Sequence, residues 1–242
     1  MNIVGATDKG KIRSVNEDGF DYGIFEDGTA WAIVCDGMGG VRGGHIASRI
    51  VLDMVSEKIK KCYNKNMPTH CFENVFLSTI TTANVIVYDR SFIDEDLKGM
   101  GTTIAAVIVK DKTACIAHVG DSRVYKISGD TISQITKDHS LAQEMLDSGQ
   151  LTKEEFEHYP KKNIITRALG VDETIDIDFD FTDIDDGDAL VLCSDGLSGL
   201  INDNEILKVY KENELDKVCE KYIEEANNNG GHDNITVVVM KG

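Results

Sequence analysis

The chain has 242 residues, of which 42 are acidic and 25 basic, giving a formal net charge of −17, and 41% are hydrophobic. That length and apolar content suit one large domain with a substantial core. The acidic excess excludes a protein whose main task is to hold a nucleic-acid backbone, which needs clustered Lys and Arg. With only two prolines and no low-complexity stretch, a single domain over residues 1–242 is expected.

The opening MNIVGATDKG lacks a basic segment followed by an apolar one, and no apolar run is long enough to span a bilayer. A cytoplasmic protein with no membrane partner is expected. Next, GKIRSVNEDGF sets Arg13 four residues before Glu17, with Asp18 adjacent. WAIVCD reads as an apolar strand ending on Asp36, followed by a glycine-rich turn, GMGGVRGG.

Two helical patterns follow. The first places Ile46, Ile50, Val51, Met54, Val55 and Ile59 on one face; the second, over 72–88, does the same with Val75, Phe76, Thr79, Ile80, Ala83 and Val87. GTTIAAVIVK, KTACIAHVGD and RVYKIS are then strands joined by short turns, which read as an antiparallel meander. Between 138 and 170 the strand pattern lapses into short, charged helical stretches, an excursion expected to form a flap over the site. DALVLCSD and NITVVVMK are further strands, with helices over 205–210 and 215–226 between them. Neighbouring strands that pair, with helices grouped before and after, indicate antiparallel sheets covered by helices rather than a doubly wound parallel sheet.

Six cysteines form no C-x-x-C pair and no zinc spacing. Cys35, Cys115 and Cys193 fall inside apolar strands, where reduced cysteine acts as a small hydrophobe.

Four aspartates stand at equivalent places: Asp36, Asp121 and Asp195 each end an apolar strand, and Asp233 opens one. A carboxylate where a core strand meets a tight turn is poorly solvated and needs a counter-charge. One Asp-Gly is an ordinary hairpin turn, but four such sites with oxygen donors only point to a hard divalent cation, Mg²⁺ or Mn²⁺. Arg13 offers a planar fork for phosphate oxygens, and the Glu17–Asp18 pair can hold waters on a metal. Two cations could neutralise a phosphate ester and lower the pKa of a bridging water, the requirements of a phosphate-ester hydrolase.

TDKGKIRSVNEDGF, VCDGMGG, GMGTTIAAVIV, AHVGDSRVY, DHSLAQEMLDSGQLT, ITRALG, LCSDGL and GHDNITVVV occur in order along the whole chain. In these motifs the sequence resembles the metal-dependent protein phosphatases, the protein phosphatase 2C family, and its short bacterial members in particular. The resemblance implies an α+β fold, a four-layer α-β-β-α sandwich of two antiparallel sheets with a flap subdomain. It implies a serine/threonine phosphatase in bacterial signalling that uses two Mn²⁺ or Mg²⁺ ions and attacks through a metal-bridging hydroxide, with no phospho-enzyme intermediate. By resemblance Asp36 bridges both ions, the Gly37 carbonyl completes one, and Asp195 and Asp233 ligate the other. Glu17 and Asp18 act through metal-held waters, Arg13 binds the phosphate, and Asp121 shares a third, weaker ion with Asp195. His232 and Asn234 flank Asp233 and are expected to orient it. The expected partners are phosphorylated proteins and a cognate Ser/Thr kinase, and the protein itself is expected to be a monomer.

The sequence departs from the family at three positions beside Asp36. Met38 replaces the histidine that better-known eukaryotic relatives carry after Asp-Gly, leaving a metal-held water as the expected proton donor. Val41 and His45 also differ, and bear on substrate preference. His118 is expected to be a packed residue and His139 to position the flap. Two rival readings are a phosphoprotein-binding relative that has lost catalysis and a carboxylate-based nuclease; the complete acidic set speaks against the first and the net charge against the second.

Overall fold

The computed structural model describes residues 1–39, 43–157 and 159–242. The Val-, Ile- and Ala-rich runs become strands, in order β1 (Asn2–Asp8), β2 (Gly19–Ile24), β3 (Ala30–Cys35), β4 (Gly37–Met38), β5 (Gly101–Thr102), β6 (Ile104–Lys110), β7 (Thr113–Val119), β8 (Arg123–Ser128), β9 (Thr131–Gln134), β10 (Asp178–Asp183), β11 (Ala189–Cys193) and β12 (Ile235–Lys241). The helices are α1 (Gly43–Cys62), α2 (Cys71–Ile93), α3 (Leu141–Asp147), α4 (Lys153–Glu157), α5 (Asp195–Ser198), α6 (Asp203–Glu212) and α7 (Leu215–Asn228).

Two five-stranded sheets result, ordered β1-β12-β11-β8-β9 and β10-β7-β6-β3-β2, with β4 and β5 forming a small separate ribbon. The period-two alternation of each strand decides the layers. Ala30, Ala32 and Val34 of β3 and Val107 of β6 meet Leu190, Leu192 and Val238 between the sheets. The intervening Trp31, Ile33 and Cys35 point outward, against Val51, Val55 and Ile59 of α1 and Phe72, Phe76 and Ile80 of α2. On the other side Val191, Cys193, Val237 and Val239 pack under Ile206, Val218 and Tyr222 of α6 and α7. These are the four layers expected, α-β-β-α, and strands buried on both faces explain their nearly continuous apolar sequences.

The meander is corrected. β6 and β7 pair in one sheet, whereas β8 and β9 pair in the other. The chain changes sheets through Gly120–Asp121–Ser122, where Gly120 has φ +107° and a Cβ would lie 2.5 Å from Thr103 Cγ2. Only a residue without a side chain lets the backbone turn so close to Thr103. Three edge strands escaped the sequence reading: β1, which carries Gly5 under the Phe20 ring, β2, and the Asp-rich β10, half of whose residues are acidic.

The 138–170 excursion is anchored at its base. Leu141 N–H donates to the Ile164 carbonyl (2.8 Å) and Thr166 N–H to the His139 carbonyl (2.8 Å). The far end is tied to α2, whose buried Asn84 side chain accepts from Gly170 N–H at 2.8 Å.

Gly120→Ala is expected to lower stability by roughly 2–4 kcal/mol, combining left-handed strain with overpacking against Thr103. Gly129→Ala, at φ +57° but facing open space, carries the strain alone, about 1 kcal/mol. Urea unfolding of both variants measures the difference; equal losses would show that the sheet crossover is not tightly packed.

Candidate metal and phosphate site

Strand ends deliver the acidic residues to one end of the sandwich. Asp36 leaves β3 with its main chain clamped: its N–H donates to Thr103 Oγ1 (3.0 Å), and its carbonyl accepts from Thr103 N–H (2.9 Å) and Thr102 Oγ1 (2.9 Å). Thr103 Oγ1 shares a buried hydrogen bond with Ser122 Oγ (2.7 Å), next to Asp121. Asp195 opens α5 just after buried Ser194. Gly37 lies so close to other backbone that a Cβ would fall 2.2 Å from the Gly44 carbonyl oxygen and 2.5 Å from that of Glu17.

Residues from both ends of the sequence complete the cluster. Asn234 Oδ1 accepts from Glu17 N–H (2.8 Å), and its Nδ2 donates to the carbonyls of Lys9 and Val15 (both 2.9 Å), binding the loop that carries Arg13 to the start of β12. Arg13 Nη2 donates to Asp233 Oδ2 at 2.6 Å with half its side chain exposed. Asp233 Oδ1 accepts from Asn234 N–H at 2.8 Å. The hydrogen bonds on Asp233 thus come from Arg13 and Asn234, whereas the exposed His232 lies over Gly230. Asp18, nearly buried, accepts from Ser194 Oγ on Oδ2 (2.8 Å), while its Oδ1 has no partner.

Crowding disfavours the charged forms of Asp18, Asp36, Asp121 and Asp195. Burial, then repulsion by Asp18, Asp195, Asp121 and Asp233, holds the Asp36 carboxyl well above the usual carboxylate range. Burial likewise pushes Asp18 up to about 7, Asp121 to about 8 and Asp195 to about 6. For Asp195 the repulsion of Asp233 adds to burial, and a hydrogen bond with Asp36 and the charges of Arg13 and Arg123 oppose it.

This donor set fits a hard divalent cation: it is all oxygen, largely anionic, and includes an unpartnered buried carboxylate oxygen. Among the described residues, no three His, Cys, Asp or Glu side chains form a closed shell ready for a metal. Asp233 is turned toward Arg13 and Asp195 toward Asp36, so a cation must draw these carboxylates off their present partners.

A groove of about 950 Å³ is lined by Asp121, Asp195 and Asp233 together with Gln143, Phe156 and Lys162 of the excursion. An ion pair that sequence reasoning missed also lines it. Arg123 Nε and Nη2 grip Asp138 (2.9 and 2.6 Å), and Nη1 donates to Tyr125 Oη (2.8 Å). The available signal was a lone arginine opening an apolar strand, RVYKIS. Met38 lies in β4 and is half-buried, and His45 is exposed; Val41 lies outside the described residues.

Two face-to-face sheets with a carboxylate-lined groove at one end define a phosphatase of the metal-dependent class. The protein phosphatase 2C family model matches residues 11–237, and the chain belongs to that family. It is 38% identical to the serine/threonine phosphatase stp of Listeria monocytogenes, covering 100% of this chain and 96% of that protein. The structure of the S. agalactiae serine/threonine phosphatase superposes with a TM-score of 0.92 at 35% identity, covering 100% and 99% of the two chains. The catalytic domain of the serine threonine phosphatase PstP, solved in complex with two manganese ions, is similar at a TM-score of 0.85 and 30% identity, over 98% and 96% of the chains. These full-length similarities bear out the phosphoprotein phosphatase activity and the metal cofactor expected from the sequence.

An acid whose pKa is raised on folding contributes stability near its ordinary 3.8 that is lost as pH climbs through the folded value. The EDTA-treated protein should therefore melt at progressively lower temperature from about pH 5 to about pH 8, each buried acid contributing up to ~1.4 kcal/mol per pH unit. Added Mn²⁺ at the alkaline end should restore the melting temperature. A flat or rising profile would mean that the acids are not crowded together in solution.

Proposed function

We propose that the chain hydrolyses phosphoserine and phosphothreonine in proteins, with Asp36 at the centre of a metal site completed by the Gly37 carbonyl, Asp195 and Asp233. Glu17 and Asp18 act through waters, and Asp121 with Asp195 holds a third, weaker ion. The single observation that carries this reading is the convergence of Asp18, Asp121, Asp195 and Asp233 on Asp36, close enough to repel it, beside Arg13, with Asp121, Asp195 and Asp233 lining the groove. Two Mn²⁺ or Mg²⁺ ions there would supply the charge that stabilises the phosphoryl oxygens and would activate water near neutral pH.

The protein's own groups do the positioning. Arg13 is half-exposed and held by one carboxylate oxygen, so it can swing its fork onto a phosphate when Asp233 turns to a cation. Asn234 keeps the loop carrying Arg13 and Glu17 against β12, so that phosphate binder and acids keep a fixed spacing. The groove receives the peptide on either side of the phosphorylated residue, with the 138–170 excursion as a flap along it. Direct hydrolysis fits the neighbouring thiols. Cys35 and Cys193 adjoin the site, but burial raises the Cys35 thiol far above its ordinary value and pushes Cys193 to about 12, leaving both protonated and inert as nucleophiles.

Phosphorylated proteins are the substrates, and a Ser/Thr kinase acting on the same targets is the expected counterpart. No helix among the described residues is long and apolar enough to cross a membrane, and all six cysteines are free. The free thiols suit the reducing cytoplasm proposed for the protein.

Purified protein with Mn²⁺ should release phosphate from a phosphothreonine peptide, and excess DNA should not compete. Peptide binding without release would favour the binding-module reading. Asp36→Asn or Asp195→Asn should reduce kcat by about 10³-fold or more while the metal-free fold is retained. Arg13→Ala should lower kcat/KM by roughly 10–100-fold and leave Mn²⁺ binding intact, since it also frees Asp233. Substantial turnover by either Asn variant at saturating Mn²⁺ would refute the metal assignment.

A further inference from the structure

His139 stands at the start of the excursion, nearly buried, and is bonded at two points to the sheet crossover. Its main-chain N–H donates to the Gly120 carbonyl (2.8 Å), and its ring Nδ1 accepts from Gly120 N–H (3.0 Å). Because Nδ1 receives a backbone N–H, the ring proton sits on Nε2. Nε2 is 3.1 Å from Asp178 Oδ2 on β10 and 3.2 Å from Arg167 Nη1, which donates to the other Asp178 oxygen at 2.7 Å. Arg167 belongs to the returning end of the excursion, whose Thr166 N–H bonds the His139 carbonyl. One imidazole therefore joins the crossover before Asp121, both feet of the excursion and the edge strand. The buried His118 ring packs against it at 4.8 Å, with neither of its nitrogens hydrogen-bonded.

We propose that His139 is a positioning residue that fixes the Gly120–Asp121–Ser122 crossover to both feet of the 138–170 excursion, so that the Asp121 carboxylate and the groove wall are set together. The backbone at Gly120 is the sensitive point. Its φ of +107° and close approach to Thr103 leave it little room, and among the described residues its N–H is satisfied by the His139 ring. Loss of that acceptor leaves a buried N–H unpaired and loosens the residue before Asp121. Loss of the Nε2 donor instead weakens the link to Asp178 and leaves the crossover bonded. The proposal rests on the third-ion reading of Asp121 only for its effect on metal binding.

Two substitutions separate the roles. In His139→Asn, Oδ1 takes the place of Nδ1 and can still accept from Gly120; in His139→Gln, Nε2 can still reach Asp178, but the acceptor is lost. The imidazole ¹⁵N spectrum of the unaltered, metal-free protein should show His139 as the Nε2–H tautomer. The Gly120 and Asp121 amide resonances should stay in place in His139→Asn and move in His139→Gln. By Mn²⁺ calorimetry the weakest site should keep its affinity within about twofold in His139→Asn and lose roughly five- to tenfold in His139→Gln, the scale of one unsatisfied hydrogen bond. The Mn²⁺ concentration needed for half-maximal peptide turnover should rise in step. An Nδ1–H tautomer, unmoved Gly120 and Asp121 amides in His139→Gln, or equal losses in both variants would overturn the proposal. An unchanged Mn²⁺ isotherm in Asp121→Asn would overturn the third-ion reading alone, because the amide shifts judge the coupling without metal.

Discussion

Mutual repulsion among carboxylates is the constraint around which this protein is organised. Asp18, Asp36, Asp121 and Asp195 are gathered beside Asp233 where burial and their neighbours disfavour their ionisation, and nothing local in the sequence would hold them there. The two sheets do so. Residues on both faces of β3, β6, β11 and β12 are buried, so the strands cannot slip to relieve the acids without exposing the core. Arg13, Arg123, Asn234 and the hydroxyls of Ser194 and Thr103 then satisfy part of what burial leaves unmet. Local destabilisation at a site that binds charge is thus supported by strongly apolar layers on either side.

The same layers explain what sequence could and could not disclose. α1 and α2 were legible because Val51, Val55, Ile59 and Phe76, Ile80, Val87 repeat at helical spacing against one sheet. The key aspartates were legible because each interrupts an apolar run at its end, and an acid in that place needs a reason. β1, β2 and β10 were not, because edge strands pair on one side only and tolerate Gly5, Tyr22 and the acids of DFDFTD. The change of sheet at Gly120 was hidden for another reason: a tight hairpin and a crossover of three residues begin with the same turn chemistry. Periodicity reports which residues are buried, not which sheet they join.

Within the site, residue type was more legible than residue contact. Asn234 and His232 flank the same aspartate, and sequence offered no means of ranking them; the difference is that Asn234 is buried and bonded to Glu17, Lys9 and Val15, while His232 faces outward. The Arg123–Asp138 pair was invisible because its partners come from a strand and a loop that no local spacing connects. Motif resemblance filled this gap for the acids, but had nothing to say about which proton His139 carries.

The pairing of β1 with β12 has a consequence for how the protein comes into being. Arg13 and Glu17 leave the ribosome more than two hundred residues before their partners Asp233 and Asn234. Until β12 is available, β1 has no neighbour in its sheet and the loop carrying Arg13 lacks its bonds to Asn234. A chain that stops short of β12 lacks the partners of both Arg13 and Glu17. The acidic cluster is therefore complete only once synthesis has passed β12.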